Sequence, residues 1–205
     1  ILRQPMEEKE VRLVRVNGTY EYPADFILVA AMNPCKCGFF PDLGKCRCTP
    51  TQIRRYLNRV SGPFLDRIDI GVEVPRQDLG MMAAEKSIDE GSFPQTEQRN
   101  SSAVMRARVM EARARQEKRF ADESISYNSQ MTRRQIEEYC RLSGEDAVFL
   151  EKVERQQGIS ARGHGKILKV ARTLADLDGQ AEIGRTQLAE AIGFRSFEKK
   201  YWGSL

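Results

Sequence analysis

The sequence predicts an α/β region followed by a helical bundle. A hairpin pattern and two strand-like runs fall in the first part of the 205-residue chain, and the helical patterns fall in the second. A polar stretch broken by two glycines and a proline separates the parts and is typical of a linker. We therefore expect an α/β part over residues 1–76, a linker over 77–98 and a helical domain over 99–205.

Residues 11–22 predict a β-hairpin. The residues before Asn17 and Gly18 are mostly apolar, and those after them include two tyrosines. Asn-Gly is the dipeptide most typical of a two-residue hairpin turn, so we expect the turn at this pair. With that turn, Arg15 and Tyr20 should face each other across the hairpin.

Two further segments predict strands. Residues 26–32 form a continuous apolar run without alternation, which is typical of a strand buried on both faces of a parallel sheet. Residues 68–75 alternate apolar and polar side chains and indicate a shorter strand of edge type. A helix is expected between them, over residues 51–59.

Five more helices are predicted after the linker, from apolar residues at helical spacing. They cover residues 101–120, 132–142, 145–156, 161–177 and 185–192. The first of the five is rich in arginine. The fourth carries an apolar stripe that must face a core.

Composition limits the classes of function only loosely. The chain has 33 lysines and arginines against 29 acids, a formal net charge of +4, which describes a mixed surface and does not by itself indicate nucleic-acid binding. The longest apolar run, residues 26–32, is too short to span a bilayer, and no signal-peptide pattern opens the chain. We expect a cytoplasmic protein without a membrane partner.

Four of the five cysteines cluster within residues 35–48. Two closely spaced pairs on either side of a short loop can wrap four thiolates around one tetrahedral Zn²⁺. The alternative is four reduced thiols in an irregular loop, an arrangement with little packing reason. Basic residues beside the cysteines either contact phosphate or balance thiolate charge. We predict a closed, structural zinc site with the ligands Cys35, Cys37, Cys46 and Cys48.

Two polar residues flank the predicted strands. Asn33 follows the apolar run, at the end of a strand where α/β sheets carry their active sites, although Asn-Pro also simply starts a turn. Arg67 stands among aspartates just before the second strand. The ordinary explanation for such an arginine is a local ion pair with Asp66 or Asp69.

Arg162 lies near the start of the helix predicted over residues 161–177. Ser160 is a typical N-cap, so Arg162, His164 and Lys166 place positive charge in the first turns, which opposes the helix dipole by about 0.3–1 kcal/mol each. Two glycines in the same turns cost about 1 kcal/mol each relative to alanine. A helix that starts so poorly is a candidate anion site. We interpret His164, the only histidine, as structural or exposed.

Six segments carry a family resemblance. In chain order they are Leu-Arg-Gln-Pro (residues 2–5), Tyr-Pro-Ala (22–24), Val-Ala-Ala-Met-Asn-Pro-Cys (29–35), Ser-Gly-Pro (61–63), Leu-Asp-Arg-Ile-Asp (65–69) and Lys-Val-Ala-Arg-Thr-Leu-Ala-Asp-Leu (169–177). Together they resemble the Mg-chelatase-like AAA+ ATPase family, and most closely its ComM/YifB branch. The match spans nearly the whole chain and is weak only over residues 76–130.

The resemblance implies the C-terminal part of a AAA+ P-loop core followed by a helical lid, and it assigns roles by position. Asn33 matches sensor 1, which orients the attacking water. Arg67 looks like the arginine finger, which reaches the ATP of a neighbouring subunit. Arg162 matches sensor 2, which contacts the γ-phosphate. The hairpin corresponds to a pore hairpin on which Arg15 and Tyr20 would contact DNA, the alternative being ordinary cross-strand packing.

The family implied by the resemblance uses ATP with Mg²⁺ in a homo-oligomeric ring, a hexamer, and its ComM type drives branch migration of DNA during natural transformation. The chain contains no Gly-x-x-x-x-Gly-Lys-[Ser/Thr] loop and no acidic Walker B strand. The resemblance places both upstream of Ile1, so we interpret the chain as the C-terminal part of a longer helicase-like motor and expect it alone to hydrolyse no ATP.

Two alternatives remain open. The first is the motor subunit of magnesium chelatase, which remodels a protein partner; the four-cysteine loop argues against it. The second is a zinc-stapled nucleic-acid-binding module without an ATPase role, against which the combination of Asn33, Arg67 and Arg162 argues. Salt-dependent DNA binding separates the first alternative from a DNA motor, and ATP turnover separates the second.

Overall fold

The computed structural model describes residues 2–74 and 101–203. Contacts divide the chain into two units, Ile1–Gly71 together with Arg195–Leu205, and Val72–Phe194. The linker predicted over residues 77–98 lies outside the described residues. At the C-terminal end the division differs from the predicted domain boundary, because the chain returns to the first unit at Arg195.

We call the first of these unit 1 and the second unit 2. The described elements are α1 (Arg3–Glu8), β1 (Glu10–Arg15), β2 (Gly18–Pro23), α2 (Pro50–Leu57), α3 (Gly62–Leu65), α4 (Ser102–Arg119), a 3₁₀ turn (Asn128–Gln130), α5 (Arg133–Tyr139), α6 (Gly144–Gln157), α7 (Ala161–Leu177), α8 (Arg185–Gly193) and α9 (Ser196–Trp202). None of these helices is both long and apolar enough to cross a bilayer.

The antiparallel pairing of β1 with β2 confirms the predicted hairpin, but its turn lies one residue earlier than predicted. Arg15 pairs with Gly18 at the end of the ladder, so Val16 and Asn17 form the two-residue loop. The turn typical of Asn-Gly needs a positive φ at both loop residues, but neither Val16 nor Asn17 has one. The positive φ, 145°, instead falls on Gly18, the residue after the loop, where glycine adopts it without steric cost.

The prediction of two further strands is wrong for the described structure. Residues 26–32 and 68–74 carry no regular secondary structure, and Ile27 and Val29 are 92% and 89% exposed. A strand needs a neighbour whose backbone groups pair with its own. Within residues 2–74 and 101–203, the two hairpin strands pair only with each other.

The helix predictions are confirmed, and α7 has the predicted bounds. Side-chain N-caps explain where five of the helices begin, because each cap oxygen accepts a hydrogen bond from the backbone N–H three residues later. The capping residues are Thr49, Ser101, Thr132, Ser143 and Ser160. The sequence pattern gave no prediction for α3, the 3₁₀ turn or α9.

Helix α7 forms the centre of unit 2, and its apolar stripe faces the core, as predicted. Ile167, Ala171 and Ala175 are at most 1% exposed, and they pack in one cluster with Leu150 of α6 and Leu188 of α8. The cluster contains twelve buried residues. Burial of this apolar surface is the main stabilising contribution to the unit.

A charged network lies inside unit 2, against the same helix. Asp176 is fully buried, and its carboxylate accepts hydrogen bonds from Arg119 (2.9 Å), Arg172 (3.0 Å) and Asn128 (2.8 Å). Burial alone would raise the pKa of Asp176, but the hydrogen bonds from Arg119 and Asn128 and the charge of Arg172 hold it below its ordinary value. The ionised carboxylate is therefore the form that this network stabilises.

Candidate functional site

Four cysteine side chains of unit 1 converge in space, as the spacing predicts. We call residues 35–48 the cysteine loop. All four sulfur atoms lie within 4.8 Å of one another, and the Sγ–Sγ distances are 3.3 Å from Cys35 to Cys37, 3.8 Å from Cys35 to Cys46 and 3.6 Å from Cys37 to Cys46. Tetrahedral zinc with Zn–S bonds of about 2.3 Å needs sulfur atoms about 3.8 Å apart. The donor set and its dimensions therefore fit one tetrahedral metal ion.

Backbone amides of the loop point at the sulfur atoms. A hydrogen bond from the Phe39 N–H lowers the pKa of Cys37 to about 6. Burial raises the pKa of Cys35, but hydrogen bonds from the N–H groups of Phe40 and Phe39 outweigh it, and the net shift is downward. Such N–H···S hydrogen bonds stabilise thiolates and orient them as metal ligands.

The second cysteine pair shows the opposite shift. A hydrogen bond from the Cys48 backbone lowers the pKa of Cys46, but burial and the neighbouring sulfurs of Cys37 and Cys35 outweigh it and raise that pKa to about 11. The pKa of Cys48 is raised by the same neighbours and by burial, against a lowering hydrogen bond from the Cys37 backbone. Four thiolates this close repel one another unless a cation neutralises them, so metal binding would release the remaining protons.

The core around the cysteine loop is small. Only Cys35, Ile53 and Leu57 are buried in it, with a few partly buried side chains packed around them. Unit 2 has twelve buried residues in its cluster. A core of three residues supplies little apolar burial, so a metal held by four thiolates would be a large part of this region's stability.

The hairpin places Arg15 and Tyr20 on one face, but they do not face each other directly. Tyr20 pairs with Leu13, and Arg15 pairs with Gly18, because the turn is shifted by one residue. The two site residues are therefore diagonal neighbours, which typically lie about 7–8 Å apart at Cα. Tyr22, two pairs further along, lies on the same face, and Tyr20 and Tyr22 are 49% and 52% exposed.

The opposite face of the hairpin is polar and internally paired. Arg12 forms ion pairs with Glu21 (2.9 Å, Nε to Oε1) and with Glu10 (3.1 Å). The hairpin thus has one face of paired charges and one that presents two tyrosines with an arginine at the turn.

Arg67 is held by a partner that the sequence did not suggest. Its guanidinium donates to the carboxylate of Glu7 in α1, with Nε 3.1 Å from Oε2 and Nη2 in close contact with the same atom, and it also donates to the Pro63 carbonyl. The Arg67 side chain is 15% exposed. Glu7 and Arg67 are 60 residues apart, and no local sequence signal connects them.

Asn33 and Arg162 are both exposed. Asn33 lies two residues before the fully buried Cys35, at the entry to the cysteine loop in unit 1. Arg162 is the second residue of α7 in unit 2, two residues after the cap Ser160, whose Oγ accepts from the Gly163 N–H at 3.1 Å. The predicted cap is confirmed, and Arg162 stands at the positive end of a 17-residue helix.

Known protein families match both parts of the chain. The profile of magnesium chelatase, subunit ChlI, matches residues 1–82, and that of magnesium chelatase, subunit ChlI C-terminal, matches residues 99–195. Among curated proteins, Competence protein ComM of Haemophilus influenzae is 41% identical over 196 residues, covering 95% of this chain and 35% of the relative. Uncharacterized protein YifB of Escherichia coli is 40% identical over 198 residues, covering 97% of this chain and 36% of the relative.

The chain thus spans about a third of the length of these relatives. The two profiles follow each other in the order that the sequence resemblance requires, and the ComM and YifB matches run through both. On these matches, the chain belongs to the Mg-chelatase-like family, which is related to AAA+ ATPases, and within it to the ComM/YifB group.

Proposed function

We propose that this chain is the C-terminal part of a ring-forming AAA+ ATPase, a hexameric helicase-type motor that remodels DNA in the cytoplasm. The observation that carries the proposal is the exposed hairpin face with Tyr20, Tyr22 and Arg15. Every base offers a flat face for stacking, and an arginine nearby pairs with phosphate, so this combination suits a single strand of any sequence. The similarity to a protein named for competence supports DNA as the substrate.

A basic segment beside the metal site supports the same partner. Between residues 36 and 59 the sequence has six lysines and arginines and one acid, Asp42. All six cations are exposed, and Lys45 forms their one ion pair among the described residues, with Asp42 at 3.8 Å. The six are Lys36, Lys45, Arg47, Arg54, Arg55 and Arg59. Cations without acidic partners attract a phosphate backbone and release its counterions on binding.

The nucleotide chemistry would come from ATP with Mg²⁺ bound in the whole protein. We propose that Asn33 orients the attacking water, that Arg67 acts as a finger toward a neighbouring subunit's nucleotide and that Arg162 senses the γ-phosphate. Arg67 would exchange Glu7 for phosphate oxygens. Its planar guanidinium, already engaged by a carboxylate, has the shape that binds either group with two hydrogen bonds.

The cysteine loop would hold one Zn²⁺ in a closed structural site. Cys35, Cys37, Cys46 and Cys48 supply all four positions of a tetrahedron, which leaves no open position for catalysis. The proposed cytoplasmic location agrees with this role, because a reducing compartment keeps such thiols free to bind metal.

Binding of a labelled single-stranded oligonucleotide, followed by fluorescence anisotropy across a salt series, tests the DNA proposal. We expect the double variant Tyr20→Ala/Tyr22→Ala to bind roughly tenfold or more weakly, because stacking contributes about 1–3 kcal/mol per base. The slope of log affinity against log salt should stay unchanged, because no charge is lost.

Tyr127→Ala is the matched control, because Tyr127 is a tyrosine of similar exposure, 42%, in unit 2. It should bind as the unmodified chain does. Binding that is unaffected by the hairpin variant would refute the hairpin as the DNA contact. An absence of salt-dependent binding by the whole protein would favour a motor that remodels a protein partner.

A further inference from the structure

The last described helix, α9, packs against the cysteine loop and α2. Trp202 Nε1 donates to the Leu57 carbonyl at 3.1 Å, and the ring of Tyr201 meets the ring of Phe40 edge to face, with centroids 6.1 Å apart. Tyr201 and Trp202 both belong to the cluster that surrounds Cys35. Helix α9 thus packs on the loop that carries the metal ligands.

The residue before α9, Arg195, contacts the segment that carries Arg67. Arg195 is 4% exposed. It donates to the Ile68 carbonyl at 2.9 Å, and its Nη2 lies 3.7 Å from an Asp66 carboxylate oxygen and in close contact with Glu198. Asp66 and Ile68 are the two neighbours of Arg67 in the chain, so one buried guanidinium contacts the chain on both sides of it, at the Asp66 carboxylate and at the Ile68 carbonyl.

A glycine in the same stretch allows this approach. A Cβ placed on Gly71 would overlap ring carbons of Phe197 in α9. Any side chain at position 71 therefore pushes α9 away or displaces the stretch that follows Arg67. Helix α9 and the residue before it contact the rest of unit 1 at three places, through Arg195, Phe197 and the pair Tyr201 and Trp202.

We propose that Arg195 is a positioning residue for Arg67, and that α9 keeps it in place only while the cysteine loop is held together as a metal site. The profile of the family's C-terminal part ends at residue 195, so α9 lies beyond the matched region. The consequence for catalysis rests on the proposed role of Arg67 as a finger. The docking of α9 on the loop does not depend on that role.

The order of α9 depends on the order of the cysteine loop for two physical reasons. A helix of seven residues is not stable by itself in water, so its order depends on what it packs against. The surface that receives it is the edge of a three-residue core, whose order depends on keeping four sulfurs together. Separating the thiols should therefore release Tyr201 and Trp202, and with them the hold of Arg195 on residues 66–68.

Trp202 provides a direct readout, because it is the only tryptophan in the 205 residues. We expect removal of metal from the zinc-loaded chain by a chelator to shift its emission to longer wavelength and to increase quenching by acrylamide. Cys46→Ser should give the same change, whereas Cys140→Ser, which removes a cysteine from unit 2, should not. Tyr201→Ala should shift the emission while one zinc per chain is retained. An unchanged Trp202 signal after the four thiols become titratable would overturn the proposal.

The catalytic half is tested in the whole protein by steady-state ATP hydrolysis. Arg195→Gln should lower kcat about tenfold to a hundredfold, the cost of a finger misplaced by about 1 Å, and leave the KM for ATP unchanged, because Arg195 does not touch nucleotide. Arg195→Lys should restore part of kcat through its charge. Arg155→Gln, an equal loss of charge on the surface of α6, is the control.

A normal kcat in Arg195→Gln, when Arg67→Ala abolishes turnover, would overturn the positioning role alone. Normal turnover by Arg67→Ala would instead refute the finger, and the Trp202 result would stand.

Discussion

The buried network around Asp176 predicts a large loss of stability from one isosteric change. Asp176→Asn keeps the shape of the side chain but removes the charge that Arg119 and Arg172 share. The Arg172 side chain is 3% exposed, and it also donates to the carbonyls of Ala181 and Gln180, each at 2.7 Å. Leaving a buried arginine without its counter-ion costs about 3–5 kcal/mol.

For a domain of this size, roughly 4 °C of melting temperature accompanies each kcal/mol, so the expected shift is about 12–20 °C. Far-ultraviolet circular dichroism should report this shift, because the five helices α4 to α8 lie in unit 2. Trp202 emission should report unit 1 separately. Asp122→Asn is the control, because Asp122 is exposed and such changes usually stay within about 0.5 kcal/mol.

The same network predicts the pH dependence. The pKa of Asp176 is lowered in the folded protein, so its contribution is fully present above the unfolded value of about 3.9 and is lost as the pH falls through the lower folded value. The difference in unfolding free energy between the unmodified chain and Asp176→Asn should be constant from pH 5 to 8 and narrow below about pH 4. A difference under about 1 kcal/mol at pH 7 would refute the reasoning.

Two further predictions follow from the site. Elemental analysis should find one zinc per chain. Thiol titration at pH 8 should then find Cys140 slow to react, because burial raises its pKa to about 11, and the other four cysteines should react only after a chelator is added. Four freely reactive thiols in the zinc-treated chain would contradict the metal site. In the whole protein, Arg67→Ala should bind ATP but hydrolyse it about three orders of magnitude more slowly. Glu7→Gln, which removes the same ion pair, should lower the rate of hydrolysis far less. Equal losses of rate in the two variants would indicate a structural ion pair.

The sequence predicted the features that depend on neighbours in the chain. The N-cap at Ser160 and the bounds of α7 follow from residues within one helix, and the cysteine cluster follows from ligands within 14 positions. Such local rules need no knowledge of the fold. The error in the turn is local too, because the loop falls on Val16 and Asn17, one residue before the predicted pair Asn17 and Gly18.

The features that sequence patterns missed join distant residues. An apolar run such as residues 26–32 predicts a buried strand only if other strands are available to pair with it, and the described residues supply none. The contact of Arg67 with Glu7 spans 60 residues, that of Arg195 with Ile68 spans 127, and that of Trp202 with Leu57 spans 145.

These long contacts share a pattern that explains why the site is built as it is. Arg67 has acidic neighbours on both sides, Asp66 and Asp69, and it forms an ion pair with Glu7 of α1, while Asp66 receives Arg195 from the far end of the chain. Two charged contacts from opposite ends of the sequence therefore fix one short segment. A surface ion pair contributes only about 0–1 kcal/mol, but these two arginine side chains are 15% and 4% exposed, where screening is weaker. The segment is held by partners from α1 and from the residue before α9, which ties the geometry of Arg67 to the order of α1 and α9 and, through α9, to that of the cysteine loop.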